Sequence, residues 1–238
     1  FMSVEFIVFF AILSFLTSLL TSIFSLGGGL IMLVALAQSF SPATLIPLHG
    51  SIQLANNFSR TLVYLEFFQW KLIKNIVIST MFGAVIGIYL FGTLPENLLV
   101  MVIAATILFL TWAPLDSLIL SVMKNDWFCG FISGFAGIFV GANGPLVTAY
   151  LRTKNLSPEL LVANHGAIMI FQHGIKIILF VSFFNFMILD YFSFILILAL
   201  TGYAGAILGR RLISKVPFKS FNIILKVFLT LLAFSLFF

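Results

Sequence analysis

The chain has 238 residues, 62% of them hydrophobic and 8% charged, where an ordinary soluble domain is about 25% charged. Its net charge is +5 and its mean hydropathy +1.22. Twelve basic and seven acidic side chains cannot cover the surface of a fold this size, which excludes a cytosolic enzyme, a secreted domain and a disordered chain and points to an all-α polytopic membrane protein.

In chain order, apolar segments are expected at 4–25, 29–38, 43–65, 72–92, 97–113, 127–141, 145–151, 159–185, 190–209 and 218–238. No cleavable signal peptide is expected, because Met2 leads through Glu5 into an apolar helix without a basic region or a small-residue cleavage site. Turn signals separate the segments: Ser41-Pro42, Thr93-Leu94-Pro95-Glu96, Ser157-Pro158 and Val216-Pro217. Ser-Pro before an apolar run predicts a helix start, with serine as N-cap and proline in the first turn. Gly27-Gly28-Gly29 and Gly141-Ala142-Asn143-Gly144-Pro145 interrupt hydrophobic runs. Such breaks inside lipid strand backbone groups unless protein or water covers them. The single cysteine, Cys129, excludes an internal disulfide and a cysteine metal cluster. The basic balance reports membrane orientation rather than nucleic-acid binding.

The chain contains a repeat. A shift of 116 residues brings Ser41-Pro42 onto Ser157-Pro158, His49-Gly50 onto His165-Gly166, Asn56 onto Gln172, Asn57 onto His173, Arg60 onto Lys176, and Gly28 onto Gly144. After a six-residue insertion near Asp190, Gly83 and Gly87 match Gly205 and Gly209, and Pro95 matches Pro217. This divides the chain into membrane repeats at 1–120 and 121–238, within one integral unit.

Loop charges orient the halves. If every broken segment crossed the bilayer, three loop cations would lie inside and six outside. If 127–151 is instead re-entrant, Lys71, Lys74, Lys124, Arg152, Lys154, Arg210, Arg211, Lys215 and Lys219 all become cytoplasmic, and the outside loops hold Glu96 and Asp190. The expected fold is therefore an inverted structural repeat. Each half has one re-entrant, broken-helix hairpin and three transmembrane helices, with both termini outside the cell (inner or plasma) membrane. By symmetry residues 4–38 form the first hairpin, although 4–25 is long enough to span. Trp70, Trp112 and Trp127 fall near span ends, where an aromatic belt belongs.

Inverted repeats with broken helices are the architecture of secondary transporters, with the site at the repeat interface. Gly27, Gly28 and Gly29 lead into one short helix, and Asn143, Gly144 and Pro145 into another. Both offer N-termini, with free N–H groups and the positive end of the helix dipole, which favours an anion. The alternative is that these glycines only make tight turns. His49, Gln53, Asn56, Asn57 and Arg60 share one face of a helix, and His165, Gln172, His173 and Lys176 share the matching face of its partner. Polar groups in a span usually face a cavity. Gln53 lies about 16 Å along its helix from Pro42 and Arg60 about 27 Å. Arg60 and Lys176 are thus expected near opposite mouths, with Asn56 and Gln172 holding the anion between them. The alternatives are headgroup snorkelling for the cations and packing hydrogen bonds for the histidines.

All seven acids lie in loops or near span ends, so only histidine remains to titrate if transport is proton-coupled. No nucleotide-type phosphate loop, metal-ligand spacing or protease motif occurs, so no cofactor, no metal and no enzymatic activity are expected.

Ser25-Leu26-Gly27-Gly28-Gly29-Leu30-Ile31 after the first apolar helix resembles the signature of the sulfite exporter TauE/SafE family. So does the partner motif from Gly137 to Pro145, and the stretch from Arg60 to Trp70 followed by Gly83-x-x-x-Gly87 is similar to that family's first repeat. The resemblance covers nearly the whole chain. It implies a permease that moves sulfur-containing anions such as sulfite, sulfonates, sulfoacetate or thiosulfate, often outward. The chain departs from the family in having three consecutive glycines where members often have more, and Asn143 where a glycine is usual. The expected function is a secondary transporter of a small sulfur anion by alternating access, with the lipid bilayer and the anion as partners and room for a homodimer. An anion channel, or a carrier of another small organic anion, is the alternative.

Overall fold

The computed structural model describes residues 2–25, 27–113, 125–140, 143–213 and 230. Among these there are nine α-helices and no strand: α1 (Val4–Phe24), α2 (Gly28–Ala37), α3 (Pro42–Val63), α4 (Trp70–Phe91), α5 (Glu96–Trp112), α6 (Asp126–Val140), α7 (Gly144–Arg152), α8 (Pro158–Phe184) and α9 (Phe192–Leu212). Single turns of 3-10 helix at Leu65–Phe67 and Ile188–Tyr191 precede α4 and α9. The expected segments and the helices agree to within a few residues. The largest difference is the segment at 190–209, whose start is taken up by the 3-10 turn and whose helix runs on to Leu212. Apart from Thr230, the expected span 218–238 lies outside the described residues, as do Leu26, Lys124, Gly141, Ala142, Lys215, Val216-Pro217 and Lys219.

Local chemistry sets the helix ends. Ser3 caps α1, its Oγ accepting from the Phe6 N–H at 3.3 Å, and Ser25 closes the helix in the left-handed region at φ 60°. Gly27 then takes φ 92° to open α2, a backbone conformation that costs a side-chain-bearing residue dearly. Pro42 and Pro158 open α3 and α8 as the Ser-Pro signals predict. Ser157 Oγ accepts from the Leu160 N–H at 3.3 Å. Ser41 instead makes no side-chain cap bond and receives Leu45 N–H on its carbonyl at 2.7 Å.

α1, α4, α8 and the stretch Ile188–Leu212 are long and apolar enough to cross a membrane. α1, placed by the repeat argument in a re-entrant hairpin, has 21 residues, about 31 Å of helix, enough to span the hydrocarbon core. α6 has 15 residues, about 22 Å, and falls short of it. α3 has 22 residues, but its polar face lowers its hydropathy.

The packing sorts polar groups inward. α1 buries Ser14, Thr17, Ser18, Thr21 and Ser22 and exposes Val8, Phe9, Ile12 and Leu16. α4 likewise exposes Ile78, Met81, Phe82, Val85 and Ile86. An apolar outer face around a partly polar interior suits lipid, not water.

Three helix pairs build the frame. α1 lies parallel to α9: Phe10 meets Phe194, Ser14 Oγ donates to the Leu198 carbonyl at 2.7 Å, and Gly205 and Gly209 face Phe15 and Ser22. α4 lies parallel to α6, with Gly130 against Ile76, Gly83 against Phe131 and Gly87 against Ile138. α3 crosses α8 antiparallel: Gly50 sits beside Lys176, and Gly166 beside Arg60. The 116-residue shift carries α1 onto α6 and α3 onto α8. With the insertion it carries α4 onto α9. The pair α1·α9 thus maps onto α6·α4, and the pair α3·α8 onto itself.

Candidate functional site

α3 and α8 carry the polar side chains, and α2 and α7 bring their N-termini against them. His49 Nε2 donates to the Gly29 carbonyl at 2.9 Å, and His165 Nε2 approaches the Gly144 carbonyl at 3.3 Å. Each long helix therefore pins the first turn of the short helix in its own half. A carbonyl only accepts, so both histidines carry a proton on Nε2. His165 Nδ1 lies 3.4 Å from Arg60 Nη2 and accepts from it, so this imidazole is neutral. Arg60 Nη2 also donates to Asn57 Oδ1, and Asn57 Nδ2 donates to the Gln53 carbonyl at 2.6 Å. The His49 and His173 rings meet edge to face at 6.0 Å.

These groups surround a cavity of about 360 Å³, part of it open to the outside. Its wall includes Gly27 and Gly29, His49, Gln53, Asn57 and Arg60 from the first half. Gly144, Pro145, His165, Met169 and His173 come from the second. Under the repeat, His49 pairs with His165, Gln53 with Met169, and Asn57 with His173. The cavity thus draws on both sets of residues, though unevenly: Arg60 lines it and Lys176 does not, Gly27 lines it and Asn143 does not, and Gly144 lines it and Gly28 does not. Arg60 is 3% exposed. Ion pairs among the described residues join Lys154 to Asp126 at 2.9 Å and Arg210 to Glu66, and neither involves Arg60. No acidic side chain is among the described residues of the wall.

The family model for the sulfite exporter TauE/SafE matches residues 10–236. The chain belongs to the sulfite exporter TauE/SafE family. No curated protein and no solved structure matches it. Membership, together with the apolar helices, makes it a multi-pass membrane protein of a transporter family rather than of an enzyme family, and sulfite export is the activity for which the family is named.

Within this TauE/SafE chain the expected site residues divide into two groups. Gly27, Gly29, His49, Gln53, Asn57, Arg60, Gly144, Pro145, His165 and His173 come together around the cavity. Gly28, Asn56, Asn143, Gln172 and Lys176 stand outside its lining. Gly28 is pressed on α1, where a Cβ would lie 2.2 Å from the Thr17 carbonyl oxygen. Asn56 Nδ2 donates to Ser14 Oγ at 3.1 Å. Asn143 Nδ2 donates to Gln172 Oε1 at 2.6 Å and to the Ser133 carbonyl at 2.5 Å. Gln172 Nε2 donates to Thr80 Oγ1 and Ser133 Oγ. Asn56, Asn143 and Gln172 thus spend these hydrogen bonds on helix packing. Lys176 lies along Gly50, with its Cε 2.9 Å from where a Cβ would be. Arg60, expected near a mouth, instead reaches across to His165 and Gly166 in the interior.

The cavity also takes in Thr21, Ser25, Leu30 and Met169, which the polar stripes did not indicate. A signal was present for two of them. Ser14, Thr17, Ser18, Thr21 and Ser25 recur at helical spacing on α1 and its cap, a hydroxyl face inside an otherwise apolar helix. Thr148 Oγ1 donates to the Ser25 carbonyl at 2.6 Å, joining α7 to the turn before α2. Met169 carries no polar signal and enters only as the repeat partner of Gln53.

Proposed function

We propose that the chain is a secondary transporter for a small sulfur-containing anion such as sulfite, thiosulfate or an organosulfonate, held in the cavity between the N-termini of α2 and α7. The observation that carries this reading is Arg60, a buried guanidinium on the cavity wall with no carboxylate in ion-pair reach among the described residues. A buried cation without a counter-charge is expensive, and an anion in the cavity offsets that cost. The α2 and α7 helix N-termini add positive dipole ends to the same cavity. Backbone N–H groups and one planar guanidinium suit a compact oxyanion.

Residues 1–120 and 121–238 are taken as inverted repeats, each with a broken hairpin and three crossings, with both termini outside the cell membrane. Support comes from the antiparallel crossing of α3 and α8. Repeat-equivalent helices are antiparallel when the axis relating them lies in the membrane plane, and parallel when it lies along the normal. Alternating access then follows as rocking of one half against the other, with Arg60 and Lys176 exchanging places at the cavity.

The test is uptake of labelled sulfite, thiosulfate and methanesulfonate into proteoliposomes. Saturable flux of one anion is expected, falling about tenfold or more in Arg60→Ala, the loss of one charge-assisted contact. No flux above protein-free liposomes from folded protein would overturn the reading. Ion currents far above transporter turnover would replace it with a channel.

A further inference from the structure

All three histidines of the chain lie on the cavity wall, and one of them holds a cation. Arg60 Nη2 donates to His165 Nδ1 at 3.4 Å while His165 Nε2 is committed to the Gly144 carbonyl. The imidazole is buried, at 3% exposure, and reaches the cavity edge. Its only site for a further proton is Nδ1, the atom on which Arg60 rests.

We propose that His165 Nδ1 is the proton-binding site of the transporter, and that a proton and an anion enter the cavity as a coupled pair. The inference rests on the anion reading above. A proton from solvent adds to the Nδ1 lone pair and gives an imidazolium with N–H on both nitrogens. Nε2–H keeps its bond to Gly144, so α7 stays pinned. Nδ1–H can no longer accept, and the Arg60–His165 bond breaks. Arg60 then faces the cavity with its Nη2–H released, beside a second positive charge. Two adjacent cations are unfavourable in an empty, buried cavity and favourable around an anion. Each ligand therefore raises the affinity for the other by the same factor. When the anion leaves, repulsion from Arg60 returns the proton to solvent.

The neighbouring charges fit this assignment. α3 presents Arg60 to His165 and His49 to His173, while α8 itself carries His173 and, one turn further along, Lys176 beside Gly50. The described residues of α1, α2 and α7 bring no ionisable side chain to the wall. No carboxylate there competes to hold the proton. His49 also pins a half-helix carbonyl, and its ring faces His173 rather than the guanidinium.

The test is anion binding to the full chain in lipid nanodiscs at about pH 5.5 and about pH 7.5, using thiosulfate and methanesulfonate, whose own charges stay fixed across that window. Wild-type protein should bind roughly five- to tenfold more tightly at the lower pH and take up protons as anion is added. His165→Gln, which can donate to Gly144 and accept from Arg60 but does not titrate, should bind with one affinity at both pH values and take up none. The double variant His49→Gln/His173→Gln leaves His165 as the sole histidine; both replaced side chains line the cavity, so its anion affinity is expected to fall, and the readout is protons taken up per anion bound. Uptake that persists supports the site and uptake that is lost overturns it, which keeps the test valid if His165→Gln does not fold. Wild-type binding without pH dependence overturns the proton site and leaves the anion reading standing. So does a pH slope that survives in His165→Gln, or one lost in Lys176→Gln while His165→Gln keeps it. Failure of both anions to bind wild-type protein at either pH overturns the anion reading and the proton site together.

Discussion

Arg60 shows how much one side chain depends on its neighbours. Gly166 leaves the room it occupies: a Cβ there would lie 3.5 Å from Arg60 Nε and 2.6 Å from Thr61 Oγ1. Asn57 and His165 accept its N–H groups. Arg60→Lys keeps the charge but loses the planar guanidinium whose Nη2 reaches both acceptors. Anion affinity in Arg60→Lys should fall about tenfold, while Arg60→Gln should lose saturable binding, both readable by titration of thiosulfate into nanodisc-held protein. Asn57→Ala removes one acceptor without touching the charge and should weaken binding by a smaller factor, about three- to tenfold. Equal affinities in all three variants would separate Arg60 from the site. The residue types of the stripe were legible in the sequence, because polar groups at helical spacing in a span are conspicuous. Which of them face the cavity was not. Asn56 and Gln172 have the same chemistry as Asn57 and Gln53, and only the neighbours Ser14, Thr80 and Ser133 turn them into packing contacts.

At the scale of helices, glycine decides how close two axes come. A Cβ at Gly83 would lie 2.0 Å from the Phe131 carbonyl oxygen, and one at its repeat partner Gly205 would lie 2.3 Å from the Phe15 carbonyl oxygen. Backbone cannot yield as a side-chain tip can, so Gly83→Val and Gly205→Val should each separate a helix pair and destabilise the fold by about 1–3 kcal/mol or more. Thermal unfolding in detergent reads this. Gly174→Ala is the control, since nothing lies within 4 Å of its added Cβ. It should be neutral or stabilising by up to about 1 kcal/mol. A Gly205→Val protein as stable as wild type would contradict the close packing of α1 on α9. The N-caps offer a finer comparison. Ser157→Ala should cost about 1 kcal/mol, because its Oγ accepts from Leu160 N–H. Ser41→Ala should cost less, because Ser41 caps through its carbonyl alone. The Ser-Pro pairs announced both helix starts. The difference between their caps depends on a hydroxyl rotamer, which no residue pattern specifies.

For the whole molecule, residues 116 positions apart take matching places. His49 and His165 hold equivalent half-helices, and Gly50 and Gly166 make room for the cation of the opposite half. The proposed inverted topology predicts which side each loop faces. Cysteine at Glu96 or Asp190 should react with a membrane-impermeant maleimide from outside intact cells, and cysteine at Lys74 or Arg152 only after permeabilisation. Native Cys129 is fully buried and should give little background. Outside labelling at Lys74 would reverse or dismantle the arrangement.

The sequence by itself determined the membrane character, the positions of the described helices and the polar stripes on α3 and α8, with residue types that recur at a shift of 116. Each follows from transfer free energy and helical period, which act on residues one segment at a time. The tertiary structure decided which polar groups meet. The antiparallel crossing of α3 and α8 brings Arg60 of one half to His165 of the other, 105 residues away. It sets Arg60 on the cavity wall and leaves Lys176 along Gly50. Their separation into a cavity cation and a packed one depends on how two halves of similar pattern are rotated against each other, a relation between segments that no single segment carries.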